Sequence, residues 1–538
     1  MQRLLFLGDE AIAQGALDAG LSGIYAYPGT PSTEITEFVQ HSKQAKQDKI
    51  HSTWSANEKT AMESALGMSY AGKRSMVCMK HVGLNVAADP FINSAITGTN
   101  GGLIIVAADD PSMHSSQNEQ DSRFLGKFAM IPVLEPSNQQ EAYDMVHYGF
   151  DLSEHHKVPV MLRITTRLAH SRAGVKRKDL RKKNDLRLPD DLRQFVLLPA
   201  IARKRYRNLL NIQDNLKEES KNSSFNNYID GSDKSLGIIA CGIAYNYLLE
   251  NYPDRHVPHP VLKIGQYPLP KKMIERLCME CAEILVLEEG YPIVEESVKG
   301  LLGKGLKIKG RLDGTVPRDG ELNPNIVAVS LGMKDTYGLP VPSLMVSRPP
   351  SLCSGCPHID SFKALNEVFE ALPKGRVFSD IGCYTLGALK PYEAINSCVD
   401  MGASITMAKG AADAGLLPSV AVIGDSTFTH SGMTGLLDAI NDKSPITIFI
   451  LDNGTTAMTG GQDSPAFGRI ESICKGMGVE EEHIHVIRPL KKFHQENVKI
   501  ISEELNYPGV SVIIPRRECV VAIDKRVREK FKKTVATG

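Results

Sequence analysis

The sequence predicts a multidomain α/β protein with a parallel-sheet domain at each end and a smaller α/β domain between them. Three observations carry this: chain length, alternation of short β-rich runs with helix-like stretches, and two breaks in that alternation. At 538 residues, a prior of roughly one domain per 150 residues gives about three to four domains. Hydrophobic residues at 42% and charged residues at 23% match an ordinary soluble globular chain. Lys plus Arg and Asp plus Glu both number 62. That balance removes the positive field expected of a protein that holds nucleic acid through its phosphates. No apolar run approaches the ~20 residues of a membrane span, and Met1–Gly8 lacks the core of a signal peptide. The expected setting is cytoplasmic, with neither nucleic acid nor membrane as partner. The ten cysteines then read as buried small residues or metal ligands, not as a disulfide framework.

In chain order, Leu4–Leu7, Ser75–Met79, Leu103–Ala107 and Val158–Ile164 alternate with helical stretches such as Asn57–Ala71. This is the pattern of a parallel sheet and defines a first domain, 1–175. From Lys176 the run Lys-Arg-Lys-Asp-Leu-Arg-Lys-Lys-Asn-Asp-Leu-Arg opens a polar stretch, 176–235, expected as a solvated charged linker with a surface helix. Strand–helix alternation resumes over 236–340, with Gly237–Ala240 and Ile284–Leu287 as strands. Cys278 and Cys281 fall in a helical pattern from Met273 to Ile284, with Leu277 and Ile284 on its apolar stripe, and read as packing residues. Cys78, Cys241 and Cys398 read the same way. Proline-rich residues 339–350 form a second boundary, and 350–538 is the last α/β domain, with strands at Val420–Ile423 and Ile446–Leu451.

Both of these last strands run into polar clusters: Gly424-Asp425-Ser426 after the first, Asp452-Asn453-Gly454-Thr455 after the second. In an open parallel sheet, ligands bind at the carboxyl ends of the strands. Asp425 offers a carboxylate oxygen, Asn453 an amide oxygen and Thr455 a backbone carbonyl, a hard oxygen set of the kind Mg²⁺ prefers. Gly424 would let the backbone approach a phosphate. Gly-Asp-Ser alone is a common turn. The pair, with Asn453 lying 28 positions after Asp425, resembles the thiamine diphosphate motif. Enzymes of that superfamily need a carboxylate beside the aminopyrimidine ring, supplied by a different domain. Asn57-Glu58-Lys59-Thr60-Ala61-Met62-Glu63-Ser64-Ala65-Leu66-Gly67 looks like the pyrimidine-domain helix, with Glu58 at its start. An acid favoured by the helix macrodipole would look the same.

Tyr27-Pro28-Gly29-Thr30-Pro31-Ser32-Thr33 and Thr459-Gly460-Gly461-Gln462 resemble signatures of the 2-oxoacid:ferredoxin oxidoreductases. Met79-Lys80-His81-Val82-Gly83-Leu84-Asn85, Asp380-Ile381-Gly382-Cys383-Tyr384-Thr385-Leu386-Gly387 and Gly424-Asp425-Ser426-Thr427-Phe428-Thr429-His430-Ser431-Gly432 are similar to the large subunits of its indolepyruvate branch, over nearly the whole chain. The resemblance implies that the end domains bind thiamine diphosphate, 1–175 of pyrimidine type and 350–538 of pyrophosphate type, with 236–340 like the C-terminal domain of transketolase. It implies coenzyme contacts from Glu58, Gly424, Asp425, Ser426, Asn453, Thr455 and Gln462, with Mg²⁺ held by Asp425, Asn453 and Thr455. Glu58 would activate the coenzyme. Thr30 would contact the substrate carboxylate or carbonyl, and His81 and Gln462 would line the site.

Cys353-Ser354-Gly355-Cys356 brings two thiolates together in a turn, as a soft metal site requires. In the resembling family such a pair, a later Gly-Cys and a cysteine near the C-terminus hold a [4Fe-4S] cluster; Cys353, Cys356, Cys383 and Cys519 match. Buried cysteines beside a plain turn are the alternative. The ferredoxin-like cysteine runs that usually end these subunits do not occur before Gly538. The implied activity is oxidative decarboxylation of an aryl 2-oxoacid to an acyl-CoA, in a hetero-oligomer with a smaller beta subunit and with ferredoxin or another carrier as acceptor. Non-oxidative decarboxylation and a non-catalytic coenzyme-binding subunit are the alternatives.

Overall fold

The computed structural model describes residues 3–191, 193–301, 305–334, 342–346, 350–372, 375–524 and 527. The chain divides into two compact units, Met1–Val341 and Pro342–Gly538. The first holds a seven-stranded sheet in the order Gln266–Tyr267, Val133–Leu134, Val160–Thr165, Leu103–Asp109, Ser75–Lys80, Gly23–Ala26, His51–Trp54. Neighbours run parallel except Gln266–Tyr267, which is antiparallel to Val133–Leu134. Parallel strands need helical crossovers, which cover both faces of the sheet. Along Leu103–Asp109, Ile104, Val106 and Ala108 therefore enter one apolar cluster, and Leu103, Ile105 and Ala107 the other. Double burial explains why these strands read as continuous apolar runs.

One expected member of the sheet lies elsewhere. Leu4–Leu7 pairs antiparallel with Arg172–Val175 in a two-stranded ribbon, Leu4 opposite Val175. Leu4 and Leu5 are exposed and Phe6 is buried; a short apolar run carries no information about which strand it joins.

A five-stranded sheet follows in the same unit, in the order Lys307–Lys309, Glu283–Leu287, Leu236–Cys241, Val261–Ile264, Asn227–Ile229, with only the last antiparallel. Its residues feed the same two clusters, Ile238 and Leu285 one and Ile239 and Ile284 the other. The helix expected over Met273–Ile284 is Lys271–Glu280; Cys281 is extended and Ile284 belongs to the strand Glu283–Leu287. An apolar residue seven positions after Leu277 fits either period, and the β-rich sequence beyond Ala282 decides for the strand. Cys281 packs under Gly237, where an added Cβ would lie 3.0 Å from its sulfur. The basic run after Lys176 lies along this unit through ion pairs of Arg177 with Asp18 and Arg181 with Asp151, and helices Pro199–Asn211 and Gln213–Asn222 follow.

A buried ionic knot sits where the two sheets meet. Arg163 pairs with Asp109 at 2.6 Å and with Glu135, while Arg123 pairs with Asp121 and lies 3.0 Å from Glu288. The Tyr267 hydroxyl donates to Glu135 at 2.7 Å. Burial pushes Glu288 up to about 7 against the pull of Arg123.

Of the proline-rich stretch 339–350, positions 339–341 and 347–349 lie outside the described residues. The second unit is built on a six-stranded, all-parallel sheet in the order Ser397–Cys398, Arg376–Ser379, Ser419–Gly424, Ile446–Leu451, Val510–Pro515, Ile484–Ile487. Ala421, Ile423, Ile448 and Val512 fill one face, and Val420, Val422, Phe449 and Ile513 the other. Among the described residues, no helix is long and apolar enough to cross a membrane.

Candidate active site

In the second unit, Gly424 pairs in register with Leu451, so Asp425 and Asn453 leave neighbouring strands at the same carboxyl edge. The Asp425 carboxylate accepts from Ser426 N at 2.8 Å and from Gly454 N at 3.0 Å. Asn453 Oδ1 accepts from Thr455 N at 3.1 Å, and the Thr455 hydroxyl donates to Gln462 O at 2.9 Å. A two-stranded ribbon, Thr455–Thr456 with Gln462–Asp463, closes the cluster, and Thr456 donates to Ser426 Oγ at 3.0 Å. Gly424, Asp425, Ser426, Asn453, Thr455 and Gln462 thus come together, all buried. Burial, with the charge of Asp452 added, pushes Asp425 up to about 7. Gly424 also has a packing role. A Cβ there would lie 2.7 Å from the Tyr384 ring, so the glycine admits that ring.

Asp380 was not singled out from the sequence, although it opens a quoted motif. It is fully buried at the carboxyl end of Arg376–Ser379 and accepts from Gly402 N at 2.6 Å and from Ser404. Burial pushes it up to about 6. His358, also buried, lies 3.5 Å from Asn453 Nδ2, and burial lowers it to about 4.

The four cysteines gather beside this cluster. Cys356 N donates to Cys353 O at 3.0 Å, closing the turn, and Cys519 N donates to Asn453 O at 3.2 Å. Arg517 donates to Gly355 O at 3.1 Å and to Asp360 at 3.2 Å, fastening the C-terminal segment to the turn. Burial pushes the Cys383 thiol up to about 12, and Cys356, Cys519 and Cys353 add to the shift. The thiols therefore sense one another. Cys356 is driven to about 11, by burial first and then by Cys353 and Cys519.

In the first unit, Asn57 caps the helix Glu58–Tyr70, its side chain accepting from Thr60 N at 2.9 Å while Thr60 Oγ1 accepts from Asn57 N. That box places Glu58 in the first turn, 5% exposed. Its carboxylate lies on Gly83, where an added Cβ would be 2.5 Å from Oε1. His81 begins the helix that carries Gly83 and is buried, with Nε2 3.2 Å from Asn118 O. It lines a cavity of about 310 Å³ with Asn85, Gln120, Phe124, Leu125 and Tyr291.

Thr30 is half-buried, and its carbonyl accepts from Ser115 Oγ at 3.3 Å. Beside it is a residue the sequence reasoning passed over. Lys80 Nζ donates to Ser115 O at 2.7 Å and Ser115 Oγ at 3.1 Å, and stands 3.8 Å from Asp110. Asp110 already accepts from Ser115 N, Ser116 and Thr166. An ammonium has three donors, so among the described residues one of Lys80's is unused. Burial, opposed by Asp110, lowers it to about 8.

Residues 14–203 match the family model "Pyruvate flavodoxin/ferredoxin oxidoreductase, thiamine diP-bdg", and residues 380–514 match "Thiamine pyrophosphate enzyme, C-terminal TPP binding domain". The indolepyruvate oxidoreductase subunit IorA of Archaeoglobus fulgidus is 40% identical over 560 residues, 99% of this chain and 89% of that one. The IorA of Pyrococcus abyssi is 39% identical, covering 97% of this chain and 86% of that one. The chain belongs to the IorA family. Among solved structures, a 2-oxoglutarate:ferredoxin oxidoreductase from Magnetococcus marinus aligns with a TM-score of 0.48 and 16% identity, over 62% of this chain and 65% of that one. In an IorA-family chain, the quoted motifs fall at strand ends and helix starts: Gly424-Asp425-Ser426 closes a strand, and Glu58 opens a helix.

Proposed function

We propose that this chain catalyses the thiamine diphosphate-dependent oxidative decarboxylation of aryl 2-oxoacids, indolepyruvate among them, with CoA as acyl acceptor and ferredoxin as electron acceptor. A 2-oxoacid anion and CoA–SH give acyl-CoA, carbon dioxide, one proton and two electrons, one to each of two ferredoxins. The reading rests on the buried oxygen cluster of Asp425, Asn453 and Thr455 at one sheet edge. Its donor set fits Mg²⁺ bound to a diphosphate: one carboxylate, one amide oxygen and one backbone carbonyl, with no soft ligand among them.

Bound thiamine diphosphate supplies the electron sink that lets a 2-oxoacid lose carbon dioxide. Gly424, Ser426 and Gln462 border the diphosphate end. Glu58 holds a proton at the far nitrogen of the aminopyrimidine ring, and Gly83 leaves its carboxylate room to do so. Thr30 and Lys80 orient the substrate carboxylate, Lys80 through its unused N–H. His81 lines the site.

Cys353, Cys356, Cys383 and Cys519 hold a [4Fe-4S] cluster. Support comes from their shared electrostatic environment and from the bond that ties Cys519 to Asn453. We assign 1–175 as the pyrimidine domain, 176–235 as a charged linker, 236–340 as a transketolase C-terminal-like domain and 350–538 as the pyrophosphate domain. A smaller beta subunit completes a cytoplasmic hetero-oligomer. The deciding test is anaerobic, CoA-dependent dye reduction with indolepyruvate, phenylpyruvate and pyruvate, alongside an iron count. Release of aldehyde from an iron-free chain would overturn the proposal.

A further inference from the structure

Asp9, the second residue of the helix Gly8–Asp18, is fully buried, and neither carboxylate oxygen has a hydrogen-bond partner. An acid at a helix start ordinarily accepts backbone N–H groups, but here Glu10 does so, taking Leu7 N at 2.8 Å. A sealed carboxylate without donor or cation carries an uncompensated desolvation cost. Two other metal-ligating groups face it. Glu34, in the first turn of Thr33–His41, has Oε2 buried and unpartnered, and its Oε1 is 3.6 Å from Nε2 of His170, the last residue of Thr166–His170. One donor atom from each of the three lies within 4.8 Å of the other two. Among the described residues, no lysine or arginine pairs with Asp9 or Glu34.

We infer that Asp9, Glu34 and His170 form a binding site for a first-row transition-metal dication, of which Zn²⁺ is the fitting probe. One imidazole nitrogen with two carboxylate oxygens favours such ions over Mg²⁺ or Ca²⁺. The Glu34 and His170 side chains are each 37% exposed, which leaves the outer coordination positions to water. The ion ties together the starts of two helices and the end of a third. Glu34 lies four residues beyond Thr30, so the ion steadies the loop that bears it.

The rival account is one proton shared between Asp9 and Glu34, which needs no metal. The test uses the full chain, purified anaerobically, equilibrated with excess Zn²⁺ and dialysed, in wild type, Glu34→Gln and His170→Gln. Wild type is expected to retain one more zinc per chain than either variant and to show a higher Tm with Zn²⁺ than without, with iron content equal in all three. On wild type alone, Zn²⁺ is expected to block diethyl pyrocarbonate modification of His170, read by peptide mass spectrometry, and this result decides if a variant misfolds. Equal zinc in all three proteins, or modification of His170 unaffected by Zn²⁺, overturns the site.

Discussion

At Glu58 the chemistry depends on a neighbour with no side chain. Glu58→Gln keeps the shape and removes the acid, so kcat should fall by about 10²–10⁴-fold, the range for a lost general acid–base group. Thiamine diphosphate affinity should change little. Gly83→Ala should mimic it, because the new Cβ would fall 2.5 Å from Oε1 and push the carboxylate aside. Steady-state kinetics with coenzyme titration checks both; a Gly83→Ala enzyme with wild-type kcat would contradict the assigned contact. Lys80 makes a different prediction. A hydrogen bond to a charged group contributes about 1.5–3 kcal/mol, so Lys80→Met should raise KM for the 2-oxoacid roughly 10–100-fold while KM for CoA holds. Burial lowers Lys80 to about 8, so its cationic form is lost as pH rises through that value. KM for the 2-oxoacid should climb above pH 8 in wild type, and Lys80→Arg should move that limb to higher pH.

Among the elements, what could be read from sequence was whatever lies inside one strand–turn unit. Asp425 and Asn453 were legible because each lies two positions beyond an apolar run, and the next strand of a parallel sheet brings the two ends together. Glu58 was legible as a helix start because its segment, with small residues at Ala61 and Ala65, resembles the pyrimidine-domain helix, and the structure begins the helix there. The Lys80 environment was not, because Ser115 and Asp110 come from a loop after another strand. Asp9, Glu34 and His170 were not either, for they meet from three helices separated by long stretches of chain. The ribbon strand Leu4–Leu7 was misplaced because local propensity does not name a partner. For the cysteine-bearing turn, Cys356→Ser or Cys519→Ser should abolish the iron content of anaerobically purified protein, while Cys278→Ser, on the helix Lys271–Glu280, should leave it intact. Elemental analysis decides, and iron retained in Cys519→Ser would remove that residue from the ligand set.

For the molecule as a whole, buried histidines and buried carboxyls pull the pH dependence of stability in opposite directions. His147 and His358 are buried in different units, and burial lowers each to about 4 from 6.5. Both stay neutral when folded, so at these two positions the unfolded chain binds more protons between pH 6.5 and 4. The contribution of each imidazole therefore falls as pH drops through that window, by about 3 kcal/mol at its lower end. Glu288 and Asp425, raised to about 7, and Asp380, raised to about 6, take up protons first in the folded chain and shift stability the other way. Denaturant melts at pH 7 and pH 5 should show the His147→Gln and His358→Gln variants faring better, relative to wild type, at the lower pH. The same pH dependence in wild type and both variants would show that neither imidazole is held neutral.

The knot of Arg123, Arg163, Asp109, Asp121, Glu135 and Glu288 also bears on how this protein can be taken apart. Its charges come from both sides of position 230, so a fragment cut there would carry raw, unneutralised groups on its newly bared face. Hybrids of two relatives joined at that point would inherit halves that never evolved together. Anyone shuffling segments of this subunit should move 1–334 as a single block.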